Sequence, residues 1–391
     1  MPINEGENMQ DKTVYFDNAA TTFPKPEEVY SFMDKFYREC GVNVGRGQHK
    51  LASKANALME ETRSLLLQLF HCENRKVIFT ATATEAINLV LNGIDIPDGA
   101  TVYISPFEHN AVTRTLHNLQ KKSGFQIEYL EVERSSFVYD LEKIKNQFME
   151  RRPFACIVSH ASNVCGAVAP IKDIFDLSKI YDSINVVDMC QTAGLIDTDL
   201  SSEIYDYAIF EGHKTLYGPM GIGGVIAKSA INIDPLIFGG TGIDSANQDM
   251  PSDVPVRYEA GSHNISAIAG LNAALKWILS IGVDSIFTEE QKKKEKLIDL
   301  LREYDNITVI VPENSIGVVS CVFDGYSSDN IGQVLSDMNI AVRTGLHCAP
   351  AAHKFIGTFP AGTVRFSLGY FNDDNDFSAL KNALDYIIEN G

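Results

Sequence analysis

Through the first two-thirds of the chain, short apolar runs alternate with longer stretches of helical periodicity, the rhythm of an α/β protein. Seven runs read as strands: KVIFT (76–80), TVYIS (101–105), IEYLEV (127–132), ACIVSH (155–160), INVVDM (184–189), DYAIF (206–210) and GGVIAK (223–228). Most are separated by enough chain for a crossover helix, which predicts parallel pairing. Between Phe210 and Gly223 only a loop fits, so the last strand is expected to run antiparallel to the one before it and the sheet to be mixed.

An amphipathic segment over 266–277 and a charged helix over 288–303 then lead into a different texture. It reads strand (TVIVP), strand (GVVSCVF), helix (328–339), strand (IAVRTG), loop, strand (TVRFSLG) and final helix (374–389), an α+β pattern. The expected division is a large domain over 22–265 and a small C-terminal domain over 266–391 that also includes 1–21. The polar, acidic opening MPINEGENMQDK reads as a frayed tail without the pattern of a targeting segment.

At 391 residues the chain exceeds what one small core holds, which agrees with two lobes. No run of 18 or more apolar residues is present, so a soluble protein without a membrane span is expected. A formal charge of −18 argues against nucleic acid as a partner, because binding a phosphate backbone needs a basic surface. Small anions remain possible ligands, held by local amides and a few cations. Seven cysteines, an odd number without a repeated Cys-x-x-Cys spacing, fit a reduced cytoplasmic setting and no metal site.

The strongest chemical signal is FEGHKTLYGPMGIGG, where Lys214 follows His213 just past a strand and lies among five glycines between Gly212 and Gly224. By itself Gly-His-Lys reads as a solvated loop. Upstream, in VVDMCQTAG, Asp188 falls at the carboxyl end of an apolar strand, where open α/β sheets bind ligands. An acid there needs a positive partner, and the protonated nitrogen of a pyridine ring would supply one; the alternative is a helix N-cap. Asp188 with Lys214 is the pairing that pyridoxal 5'-phosphate (PLP) requires. In FTATATEAINLVLNG a strand passes into a helix expected to start near Glu85. Its free amides and the hydroxyls of Thr82 and Thr84 make either an anion cradle or a plain Thr-capped start.

These segments, with FDNAATTFPKP, GRGQHKLA, PFEHNAV, HASNVCGAV, YEAGSHN, VRTGLHCAP and TVRFSLGYFN, resemble in order the class V aminotransferase group of PLP enzymes. Within it they resemble the cysteine desulfurase and selenocysteine lyase family. The resemblance implies fold type I, with a large domain built on a mixed, mostly parallel seven-stranded sheet and a small α+β C-terminal domain. It implies that Lys214 holds PLP covalently, Asp188 pairs with the ring nitrogen, Gln191 meets the ring hydroxyl, Asn163 lies beside the ring and His109 stacks on its face. Thr84, His213 and the main chain from Ala83 would hold the phosphate. Ser262 would reach the phosphate of a second subunit, which implies a homodimer. Ala19, Arg343 and Arg365 would border the substrate, with Arg365 the carboxylate clamp. Read by its residues alone, Arg365 is equally a structural salt bridge, although its planar guanidinium suits a carboxylate.

Cys348 decides the branch. It lies in the loop RTGLHCAPAAHK beside His347 and close to Arg343, where positive neighbours would favour a thiolate. The implied reaction converts L-cysteine to L-alanine. Lys214 moves the α-proton, Cys348 attacks the substrate sulfur and keeps it as a persulfide, His109 donates a proton, and a thiol or protein accepts the sulfur. The alternatives are selenocysteine lyase, aminotransfer or β-elimination on the same scaffold, and a non-catalytic partner-binding relative. Three departures from the family pattern stand out: Glu211, where the family carries Ser or Thr toward the phosphate, the bulky Met189–Cys190 pair, and Lys50. A carboxylate beside a phosphate dianion is repulsive.

Overall fold

The computed structural model describes residues 13–44, 47, 49–243 and 245–390. The expected frayed tail and the Gly45, Arg46 and Gln48 positions of GRGQHKLA lie outside the described residues.

All seven expected strands of the first sheet form. They stand in the spatial order Lys76–Thr80, Gly223–Ala227, Tyr207–Glu211, Ile184–Asp188, Pro153–Ser159, Thr101–Ile104, Gln126–Tyr129. Gly223–Ala227 runs antiparallel to both its neighbours and the other pairs are parallel, so the sheet is mixed as its connections require. Its central strands are buried along almost their whole length because helices cover both faces, which is why they read as unbroken apolar runs. Ser159 and Asp188 are register partners at the carboxyl ends of adjacent parallel strands, which sets Asp188 at the edge where a ligand enters.

Gly223 has a steric reason to be glycine. A Cβ there would lie 2.9 Å from both Ala83 N and the Thr82 carbonyl carbon, so the strand's close approach to the start of helix Ala83–Gly93 depends on a missing side chain. That helix begins two residues ahead of the expected start, and Thr82 caps it by accepting from Glu85 N at 3.2 Å.

A second, antiparallel sheet has the order Arg343–Gly345, Thr363–Ser367, Val318–Phe323, Ile307–Ile310. The run IAVRTG, expected as one strand, divides. Ile340–Ala341 pairs in parallel with Val14–Tyr15, while Arg343–Gly345 pairs with Thr363–Ser367, so one run serves two sheets. The loop expected after it contains the helix Pro350–Ile356, which opens on a proline suited to the first helical turn.

The two sheets have separate cores. Phe16, Leu297, Val319, Phe366 and Leu384 bury together around the second sheet. Helix Ile265–Ile281 falls just after the 265/266 division expected from sequence, yet Ile268, Leu271 and Leu275 pack into the core of the first sheet. Helix Val283–Arg302 carries the change from one core to the other, Ile286 facing the first and Leu297 the second. The segment after Val14–Tyr15 links the surroundings of the two sheets: Ser367 N donates to Phe16 O at 2.7 Å and Ala19 N to Ser367 Oγ at 2.9 Å on one side, and Thr22 N donates to His213 O at 3.1 Å on the other. Among the described residues no single helix is long and apolar enough to cross a membrane.

Candidate active site

One cleft at the carboxyl edge of the first sheet gathers most of the expected residues: Ala83, Thr84, His109, Asn163, Asp188, Gln191 and Lys214. Chain connectivity explains the convergence. Asp188 and Gln191 leave one strand end, Lys214 follows the next strand, Ala83 and Thr84 open the helix after the first strand, and His109 caps helix Asn110–Gln120.

Asp188 is buried, with Oδ1 accepting from Cys190 N at 2.9 Å, so its carboxylate is oriented by its own turn. Gln191 is buried and donates from Nε2 to Ala19 O at 2.9 Å, which brings the Ala19 main chain to the cleft wall. His109 accepts at Nδ1 from Ala111 N at 3.0 Å. Burial, with the Lys214 charge nearby, pushes its pKa down to about 4. The ring is therefore neutral near pH 7 with its proton on Nε2, free to donate into the cleft.

The Cys348 turn is tied down on three sides. Cys348 O accepts from Asn110 N at 2.7 Å, His347 O accepts from Asn163 Nδ2 at 2.6 Å, and His347 Nε2 meets Thr363 Oγ1 at 2.9 Å. His347 and Cys348 both hold positive φ, 47° and 58°, a left-handed pair that costs on the order of 1–3 kcal/mol per non-glycine residue and persists only under such restraint. All seven cysteines are free, and Cys348 alone among them is exposed. One expectation is corrected. His347 is buried, and desolvation with the nearby Arg365 charge pushes its pKa far down, so it stands beside Cys348 as a neutral ring.

Arg365 is 2% exposed and bound to the protein itself, with Nη2 donating to Asp17 Oδ1 at 2.7 Å and Nη1 to Asn163 O at 2.9 Å. Its Nε is buried without a partner. The salt-bridge reading is thus realised, and the same contacts hold the guanidinium beside Asn163. Arg343 is the cross-strand partner of Arg365. Ser262 lies outside the cleft, in a groove with Thr80, Ala81, Tyr258 and His263.

Two contributors escaped the sequence reading. Glu108 is fully buried and accepts from Ser105 Oγ (2.5 Å), Ser159 N (2.6 Å) and Ser159 Oγ (2.8 Å), pinning the turn ahead of His109 to the strand that carries Ser159. Asp17 pairs with Arg365. Both acids were visible in FDNAATT and PFEHNAV, each directly after a phenylalanine.

The cleft fits the ring of PLP: a carboxylate at a strand end, an amine one strand over, an amide, and an imidazole N–H on one side. His213 does not line the cleft but lies 3.8 Å from Glu211, which does; its Nδ1 is buried with no hydrogen-bond partner, a group that a phosphate oxygen would satisfy. Ala83 N, however, already donates to Glu211 Oε2 at 2.8 Å.

A mixed α/β sheet with an acid and a lysine at its carboxyl edge defines a class, and the comparisons agree with it. The chain belongs to the aminotransferase class-V family, whose model matches residues 14–380. It is 30% identical to a probable cysteine desulfurase of Halalkalibacterium halodurans over 98% of this chain and 95% of that protein. It is 29% identical to the cysteine desulfurase of Haloferax volcanii, over 97% and 91%. Among solved structures, the apo cysteine desulfurase of Thermococcus onnurineus superposes with a TM-score of 0.90 at 28% identity, covering 96% of this chain and 95% of that one. The fold is the type I fold expected from the sequence.

Proposed function

We propose that this chain is a PLP-dependent cysteine desulfurase that takes sulfur from L-cysteine onto Cys348 and releases L-alanine. The observation that carries this reading is the exposed Cys348 on a turn anchored to Asn110, the residue after His109, and to Asn163, which lines the cleft with Lys214 and Asp188. Aminotransfer needs no such thiol. Bound PLP supplies an electron sink for bonds at the substrate α-carbon.

Asp188 would hold a positive charge at the ring nitrogen, and Gln191 and Asn163 would orient the ring. Thr84, His213 and the Ala83 main chain would hold the phosphate, and Ser262 would serve the site of a second subunit in a homodimer. Lys214 Nζ would anchor the cofactor and move the substrate α-proton. His109, neutral with its proton on Nε2, is placed as a proton donor. Arg365, fixed by Asp17 and Asn163, would meet the substrate carboxylate, with Arg343 and Ala19 at the rim. Cys348 Sγ would attack the substrate sulfur, breaking its bond to carbon. The thiol becomes a persulfide, and the carbon left behind takes a proton to give alanine. A small or protein thiol then accepts the sulfur at the exposed Cys348. Selenocysteine, with selenium in place of the substrate sulfur, is the alternative substrate.

The large-lobe and small-lobe division is part of the same proposal, as is a cytoplasmic setting. Alanine formation from L-cysteine by PLP-loaded protein with a thiol reductant tests the reading. Wild type is expected to form alanine and sulfide together, and Cys348→Ala and Lys214→Ala to form neither. Pyruvate as the product would replace it with β-elimination.

A further inference from the structure

Glu211 closes the strand Tyr207–Glu211 inside the cleft, 6% exposed, and its Oε2 takes the first amide of helix Ala83–Gly93. A helix start is electropositive, so the chain's own carboxylate sits where an external anion would be drawn. The other oxygen, Oε1, is buried without a hydrogen-bond partner, 3.8 Å from His213 Nε2. Ion pairing with that ring is weak, because burial and the Lys214 charge keep His213 neutral with a pKa near 4.

The surroundings of Glu211 divide in sign. Lys214, from the loop beyond its own strand, favours the ionised form, and Asp188, from the adjacent strand, opposes it. Cys190 lies near on the turn after Asp188, and burial holds it as a neutral thiol. The helix side offers the Ala83 amide, while Glu85 is turned toward Ala81 N at 3.1 Å. The remaining neighbour strand brings only Gly223. Desolvation is the largest influence and raises the Glu211 pKa.

A phosphate dianion and an ionised carboxylate cannot share one amide in a buried site. We infer that Glu211 occupies the phosphate subsite of the cofactor-free chain and that PLP loading takes up a proton from solvent onto this carboxyl, making Glu211 the residue that sets cofactor affinity and its pH dependence. The inference rests on the PLP reading. It adds a chain-encoded competitor for the cofactor's phosphate.

The test is titration of cofactor-free protein with PLP and with pyridoxal, which has the same ring and no phosphate, followed by the visible absorbance of the bound ring. Glu211→Gln keeps an acceptor for Ala83 N and removes only the charge; Glu211→Thr is the second variant. Above the carboxyl's pKa, wild-type affinity for PLP should fall by up to about tenfold per pH unit relative to Glu211→Gln. At the upper end of the range both variants should bind PLP at least about tenfold tighter than wild type. Pyridoxal affinity should differ little among the three. Parallel PLP profiles in wild type and Glu211→Gln overturn the inference and leave the PLP reading standing, as does an equal shift for pyridoxal. Failure of every form to bind either ring overturns both.

Discussion

The amide of Asn110 donates to the carbonyl of Cys348 at 2.7 Å, so the one exposed cysteine is fastened to the helix that His109 caps. Asn163 makes the companion tie to His347 O, and it also accepts from Arg365 through its own carbonyl. Thiol, imidazole and guanidinium thus share one hydrogen-bonded frame. A cysteine on such a frame can face a substrate and stay open to an acceptor without a long mobile loop.

Removing the Asn163 tie should loosen that frame. Asn163→Ala deletes the donor to His347 O and is expected to lower kcat/KM for L-cysteine by about tenfold or more, since loss of a buried bond to a catalytic turn costs about 1–3 kcal/mol. Steady-state kinetics on fully loaded protein gives the answer. A change confined to cofactor binding would assign Asn163 to the ring alone.

Asp17→Asn leaves the buried Arg365 Nη2 facing a neutral amide. Breaking one partner of a buried pair costs about 3–5 kcal/mol, and the partly open Asp17 reduces that to roughly 1–3 kcal/mol. Urea unfolding measures it. Arg365→Lys should not restore stability, because one ammonium cannot reach both Asp17 Oδ1 and Asn163 O in the planar geometry Arg365 uses.

Gly223→Ala introduces a Cβ 2.9 Å from two main-chain atoms of the Thr82–Ala83 step. Neither can move without shifting the helix start, so a loss of about 1–3 kcal/mol in stability is expected, together with weaker PLP binding. Unchanged cofactor affinity in a destabilised variant would separate the helix start from the phosphate.

Glu108 governs a pH window. Burial raises its pKa from 4.5 to about 7, against the lowering influence of Ser105 and Ser159. The folded state therefore holds this proton more tightly than the unfolded state, and the contribution is present below about pH 4.5 and lost as pH rises through about 7, by at most about 3 kcal/mol. Buried His160, with its pKa lowered to about 4, has the opposite sign and loses stability as pH falls from 6.5. The difference in urea midpoint between wild type and Glu108→Gln isolates the carboxyl. It should change across that window, and a constant difference would contradict the assignment.

The first sheet was legible because each of its strands is apolar for a local reason, burial under helices, and because the short Phe210–Gly223 connection dictates an antiparallel return. Asp188 and Lys214 were legible for the same reason: strand ends position them. What the sequence did not show depends on distant partners. Asp17 and Arg365 meet across 348 residues, and no local pattern pairs them. IAVRTG divides because Val14–Tyr15 arrives from the chain start to claim half of it. Glu211 was marked as repulsive to a phosphate, but its bond to Ala83 N depends on how closely Gly223 lets strand and helix approach. By sequence His347 counts as a positive neighbour of Cys348, and it is neutral because of its burial in the fold.

The most direct test of the central claim is intact-mass analysis of PLP-loaded protein after brief exposure to L-cysteine without reductant, with peptide mapping of the product. One added sulfur atom is expected on Cys348, released by a thiol, and none in Cys348→Ala or Lys214→Ala. Alanine formed with no sulfur on Cys348, or sulfur on another cysteine, would contradict it.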